Sequence, residues 1–326
     1  MRDHITDLTP RMDPELRAAF AGYPEAIDAT TDPAGVRRTL EEAYVKTLPP
    51  PRPSVVVRDL VAPGPPDDAP GVPVRLYEPR ERPALLPAIV YVHGGGFVVG
   101  SVDAARVTCE ELAERVGALV VSPRYRVAPE DPFPAAVEDV YAVLRWVASS
   151  AGELGVDPAR IAIAGYSAGG GIAAGAVLMA RDRGEVSLAF QAPTNACLDD
   201  RHITPSSQAV RDIRTWHHDR ARSQWASYLS RLPADDISPY AAPARATDLS
   251  GLPPAFLSVG DLDLLRDENL DYARGLAEAG VPTELHVYPG AFHGFEILLP
   301  DARISRDAVS ALHAALRRAL HPPASA

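Results

Sequence analysis

From residue 88 onward, short and almost wholly apolar runs alternate with longer stretches in which apolar residues recur at helical spacing. The runs at 88–92, 118–122, 161–165, 188–191, 255–259 and 284–288 predict buried strands, the first five without the polar alternation of a half-exposed one. Between and after them, 103–116, 135–148, 168–183, 269–279 and 301–320 carry the periodicity of helices. Strand followed by helix, repeated, predicts βαβ units and a mostly parallel sheet flanked by helices, an α/β architecture. Two earlier β-branched runs, 55–58 and 74–77, are separated by a Pro/Gly/Asp loop and predict an antiparallel start, giving eight strands in all. Residues 1–50 hold no strand pattern. They predict two weakly amphipathic helices, at 14–21 and 33–46, each opening on a proline. The run Pro49-Pro50-Pro51-Arg52-Pro53 then stops helix formation and marks the first boundary.

One stretch breaks the alternation. Residues 197–236 carry Trp216, Trp225, Tyr228, His217 and His218 among many charges, without a strand of their own. They predict a helical insertion between two strands, and an insertion at the carboxyl ends of such strands lies over the site the sheet builds. With residues 1–50 it is expected to form a cap over a catalytic domain spanning 51–326, with Phe97, Tyr166, Trp216 and Trp225 as candidate pocket residues.

Composition narrows the function. A chain of 326 residues, 46% hydrophobic, is long enough for one large core. A formal net charge of -11 with no basic stripe excludes a nucleic-acid partner. Two cysteines, Cys109 and Cys197, make no disulfide framework, and no apolar run reaches membrane-spanning length, so a cytoplasmic protein without a membrane span is expected.

The chemistry centres on Gly165-Tyr166-Ser167-Ala168-Gly169-Gly170, between an apolar run and a helical one. Such a Gly-x-Ser-x-Gly at a cramped strand-to-helix turn projects the serine above the sheet, with small residues where side chains would collide. An isolated glycine-rich turn is the competing reading. Against it stands His93-Gly94-Gly95-Gly96-Phe97, directly after the run at 88–92, where a glycine loop can aim successive N–H groups at one oxygen. Gly95, Gly96 and Ala168 are the expected oxyanion donors, and His93 an orienting residue beneath them. A serine needs a base, and the base a partner. His293, in Pro289-Gly290-Ala291-Phe292-His293-Gly294-Phe295, follows the last strand; Asp261 and Asp263, after the strand before it, compete for the acid role.

Together these motifs resemble the hormone-sensitive-lipase-like family, the bacterial family IV carboxylesterases of the α/β-hydrolase superfamily. The resemblance runs from about residue 88 to the carboxyl end. It adds Tyr125-Arg126-Val127-Ala128-Pro129-Glu130, Pro132-Phe133-Pro134 and Asp263-Leu264-Leu265-Arg266-Asp267-Glu268 to the glycine loop, the serine turn and His293-Gly294-Phe295. It implies an α/β-hydrolase fold with a helical cap and Asp263 rather than Asp261 as the acid. It also implies an acyl-enzyme on Ser167, no metal or organic cofactor, a small-molecule ester substrate of short acyl chain, and pairing of two copies through an edge strand or helix. Two positions depart from the family: Tyr166 and Arg124 stand where relatives carry acids. Those departures motivate an amide, lactone or thioester hydrolase as one alternative, and the resemblance, to a family that includes receptors and dehydratases, leaves a non-hydrolytic ligand-binding or dehydratase relative as another.

Overall fold

The structure, a computed structural model, describes residues 4–20, 32–65 and 69–322. Among the described residues the first α-helices are α1 (Pro14–Phe20), preceded by a 3-10 turn at Thr9–Arg11, and α2 (Pro33–Thr47). Residue 21, where the first was expected to end, lies outside the described residues. The strands β1 (Val55–Ala62), β2 (Val72–Pro79), β3 (Leu86–Val92) and β4 (Leu119–Pro123) follow, with α3 (Arg106–Leu112) between the last two. Next come α4 (Ala135–Ser149), α5 (Ala151–Leu154), β5 (Val156–Tyr166), α6 (Ala168–Arg183) and β6 (Phe190–Thr194). The insertion contributes α7 (Pro205–Ala209) and α8 (His218–Tyr228). The chain ends with β7 (Ala255–Gly260), α9 (Arg266–Glu278), β8 (Thr283–Tyr288), α10 (Phe295–Leu298) and α11 (Arg303–Leu320).

The eight strands form one sheet in the order β1-β2-β4-β3-β5-β6-β7-β8. β2 pairs antiparallel with both β1 and β4, and every pairing from β4 through β3 to β8 is parallel. The alternation of side chains explains the two cores. Leu86, Ala88, Val90 and Val92 of β3 join Val140, Leu144 and Val177 of α4 and α6 on one face. Ile89 and Tyr91 join Cys109, Leu112, Leu316 and Leu320 of α3 and α11 on the other. All of β3 is buried, as a central parallel strand must be.

The strands differ from the sequence expectation in extent and in burial: β1 continues past 58 to Ala62, and β8, expected to be buried, is an edge strand only partly covered. β6 was expected at 188–191 and instead runs through Pro193, which pairs with Gly165 in register. β5 begins five residues earlier than its apolar run, at Val156 opposite Leu86, and reaches the run at 161 across a register shift. The expected helix at 103–116 starts later, at Arg106, and its last turn, Ala113–Gly117, is widened into a π-turn.

Residues 5–20 lie across the insertion and the turn after β8. Ile5 N donates to Ala209 O at 2.8 Å and Leu8 N to Asp212 Oδ2 at 3.0 Å. Asp13 N donates to Gly290 O at 3.0 Å, and the Phe20 and Phe292 rings meet at 4.7 Å.

Candidate active site

Ser167 sits between β5 and α6 at φ 55 and ψ −123, a conformation a residue other than glycine holds only when its surroundings impose it. Its N–H donates to Thr194 O at 3.0 Å, while Gly171 N and Cys197 N, each 3.1 Å away, donate to its carbonyl. The turn is tight enough that a Cβ on Gly165 would fall 2.3 Å from Gly169 O, and one on Gly169 would fall 2.2 Å from Val92 O.

The loops after β7 and β8 bring the remaining side chains to the same sheet end. His293 Nδ1 donates to Asp263 Oδ2 at 2.7 Å, which leaves Nε2 to accept from Ser167 Oγ at 2.9 Å. The Asp263 side chain is fully buried and its Oδ1 accepts from Leu265 N at 2.9 Å, so the carboxylate is held at both oxygens. Asp261, the competitor for this place, turns elsewhere: its Oδ1 takes the N–H of Gly290 at 2.7 Å and fastens one loop to the other.

Gly95 and Gly96 follow β3 at φ 136 and φ 58. Among the described residues, no hydrogen bond engages the N–H groups of Gly95, Gly96 or Ala168. The loop is braced from below. Tyr125 Oη donates to His93 O at 2.7 Å, the two rings stack at 4.3 Å, and Ala128 N donates to Phe97 O at 2.9 Å. Burial holds the His93 imidazole down to about 4, so it is neutral and donates from Nδ1 to Gly94 O.

The candidate pocket residues divide. Trp216 and Tyr166 stand beside the base, with ring centroids 5.6 and 5.7 Å from that of His293. Phe97 and Trp225 instead form an aromatic stack with Tyr228, Phe97 lying 4.2 Å from Tyr228 and 4.7 Å from Trp225. Arg124, one of the two departures, is half exposed and pairs with Asp103, to which Arg75 also bonds, so its charge is met at the surface. Tyr166, the other, reaches the His293 turn: a Cβ on Gly294 would lie 3.7 Å from its hydroxyl.

Sequence reasoning missed several buried polar groups around this line. Cys197 Sγ is 3.8 Å from Ser167 Oγ, with its thiol pushed well up by burial. Glu268 accepts from Leu198 N at 2.7 Å and Asn269 brackets Ala196, pinning the chain behind the serine. Asn195, at φ 44, donates to Glu296 Oε1 at 2.6 Å. Gln224 of α8 is 2% exposed beside Gly96.

A family model described as the alpha/beta hydrolase fold matches residues 89–297. Carboxylesterase NlhH of Mycobacterium tuberculosis is 37% identical over 321 residues, covering 96% of this chain and 97% of its own. Esterase LipI of the same organism is 36% identical over 297 residues, 90% of each chain. A solved bacterial heroin esterase is similar at 41% identity with a TM-score of 0.90, over 97% of this chain and 100% of that one.

Proposed function

The chain belongs to the α/β-hydrolase family, as a carboxylesterase of its hormone-sensitive-lipase-like branch, and from that premise we propose that Ser167 is its nucleophile, cleaving short or compact acyl esters through an acyl-enzyme. The observation that carries the reading is the unbroken line from Ser167 Oγ through His293 to Asp263, at 2.9 and 2.7 Å. As Ser167 attacks the ester carbonyl, its proton passes to His293 Nε2, and the imidazolium so formed is stabilised by the Asp263 carboxylate. The carbonyl oxygen becomes an oxyanion, to be met by the N–H groups of Gly95, Gly96 and Ala168, the last at the positive end of α6. His293 then returns its proton to the departing alkoxide, the acyl group stays on Ser167, and water, deprotonated by the same imidazole, releases the acid.

Residues 1–50 with the insertion at 197–236 serve in this reading as the cap, with Trp216 as the wall that keeps the acyl pocket compact. Two free buried cysteines accord with a reducing, cytoplasmic setting, and the exposed Val57, Leu60 and Val61 on β1 and Val287 on β8 offer edges through which two copies would pair. Among the described residues no helix is long and apolar enough to cross a membrane.

An organophosphonate ester tests the reading. It is expected to leave a stoichiometric adduct on Ser167, located by peptide mass mapping, and to abolish hydrolysis of 4-nitrophenyl acetate. A chain-length series of activated esters beside an amide panel should show activity concentrated on short acyl chains. The absence of an adduct on Ser167, or turnover confined to amides, would overturn it.

A further inference from the structure

The insertion places an unusual pair of groups over the glycine loop. A Cβ built on Gly96 would lie 2.0 Å from Gln224 Oε1 and 2.5 Å from Cη2 of Trp216, so both side chains rest directly on that glycine. Trp216 continues to the His293 ring, 5.6 Å between centroids, and thus roofs the space from the glycine loop to the base. Gln224 is 2% exposed, and among the described residues its Oε1 has no hydrogen-bond partner. A buried carbonyl oxygen without a donor is unfavourable and uncommon, because it has given up water and gained nothing. No packing need explains it either: a methionine or leucine would fill the same space against a glycine without that cost.

We propose that Gln224 is a specificity-determining residue, its amide oxygen accepting a hydrogen bond from a hydroxyl or amide N–H that the substrate carries close to its scissile carbonyl. The proposal rests on the hydrolase reading above, since an ester carbonyl held at Gly96 and facing Ser167 is what brings a neighbouring substituent under α8. The preferred substrate class is then a compact ester bearing a polar donor, either on the acyl side, as in an N-acylamino ester, or on the alcohol side, as in a glycol ester. A purely aliphatic ester of the same size would leave Oε1 unpaired, and a site built around a substrate donor discriminates steeply against an analogue that lacks it.

Two isosteric pairs test this, one for each side of the ester. On the acyl side, 4-nitrophenyl N-acetylglycinate is compared with 4-nitrophenyl 4-oxopentanoate, in which a methylene replaces the N–H. On the alcohol side, 2-hydroxyethyl acetate is compared with propyl acetate. The wild-type enzyme is expected to favour the donor-bearing member of one pair by about 10-fold or more in kcat/KM after correction for the uncatalysed reactivity of each ester. The ratio, rather than the rate, is the readout. Gln224→Met should bring that ratio toward about 1, whereas Gln224→Glu, which keeps an acceptor, should retain the preference even at a lower rate. Equal handling of both pairs by the wild type overturns the proposal without any variant, and shows the partner of Oε1 to be water alone. A ratio unchanged in Gln224→Met overturns it as well. Failure of the hydrolase reading looks different: none of the four esters is turned over and the phosphonate leaves Ser167 unlabelled.

Discussion

Two aspartates two positions apart face different work, and the difference is measurable. Asp263 touches the imidazole, whereas the Asp261 carboxylate accepts from the backbone N–H of Gly290 and Arg266 donates to its main-chain carbonyl. Asp263→Asn presents an amide to His293 Nδ1 and favours the wrong tautomer, so kcat on 4-nitrophenyl acetate is expected to fall about 10³- to 10⁴-fold. Asp261→Asn keeps an oxygen for Gly290 and should cost less than about 10-fold; a larger loss at position 261 than at 263 would reverse the assignment. Glu296 supplies a second residue-scale prediction. Burial is the leading cause that pushes its carboxyl up to about 7, although Asn195 bonds one oxygen. The raised value makes the native state bind the proton more tightly than the unfolded chain does. No penalty exists below the ordinary carboxylate value; stability is lost as pH rises toward 7, and the full cost, on the order of 3 kcal/mol at most, applies above it. Glu296→Gln removes that titration. Denaturant unfolding at pH 5 and pH 8 should therefore show the wild type losing stability relative to the variant at the higher pH, and parallel behaviour of the two would count against a buried, titrating carboxyl.

At the scale of elements, glycines in similar-looking positions divide by what surrounds them. Gly169, in the first turn of α6, has the carbonyls of Val92 and His93 within 2.3 Å of where a Cβ would be, and backbone cannot give way as a side chain end can. Gly169→Ala is expected to cost roughly 3 kcal/mol of stability and to displace the serine turn. Gly152, in the short helix α5, has nothing within 4 Å, and Gly152→Ala should stabilise by about 0.5 to 1 kcal/mol. Thermal melts of both variants check the pair, since equal shifts would mean that the contacts at Gly169 do not matter. The same contrast explains what could be read from the chain. Strands β3 and β7 announce themselves because both faces are covered and nearly every residue is apolar. The turns that carry Ser167 and Asp263 were legible because each directly follows such a run, and the His293 turn because it follows the last strand, the partly exposed edge strand β8, with glycines on either side of the histidine. The register of β5 before Ile161 was not legible, because Asp157-Pro158-Ala159-Arg160 reads as a loop until its pairing partner is known. The continuation of β6 through Pro193 was hidden by the usual meaning of proline in a strand. Gln224 and Glu296 were invisible for another reason: their positions depend on which face an insertion helix or a one-turn helix lays against the sheet, and local pattern does not fix that.

The whole molecule is held at one corner by residues 5–20, which join two parts of the chain that have no strand in common. Ile5 exchanges hydrogen bonds with Ala209 and Arg211 of the insertion, Leu8 N reaches the Asp212 carboxylate, and Arg214 bonds Asp212 and Asp7 while its guanidinium lies 4.6 Å from the Phe20 ring centroid. The same segment meets the His293 turn through Asp13 and Gly290 and through Phe20 against Phe292. Leu8, Met12, Leu16 and Phe20 are all buried, so the segment is packed onto both rather than draped over them. None of the eight sheet strands takes a pairing partner from it. Deleting residues 1–20 should therefore leave the sheet and its far-UV circular dichroism largely intact, while freeing the insertion and the base-bearing turn to move independently. Because a displacement of about 1 Å in a catalytic arrangement can cost on the order of 100-fold, the truncated enzyme is expected to lose at least about 10-fold in kcat on 4-nitrophenyl acetate. Full activity in a truncated protein that still melts cooperatively would show that the turn holding His293 is fixed by β8 and α10 alone, and that the amino-terminal segment shapes what enters the site rather than how its groups are aligned.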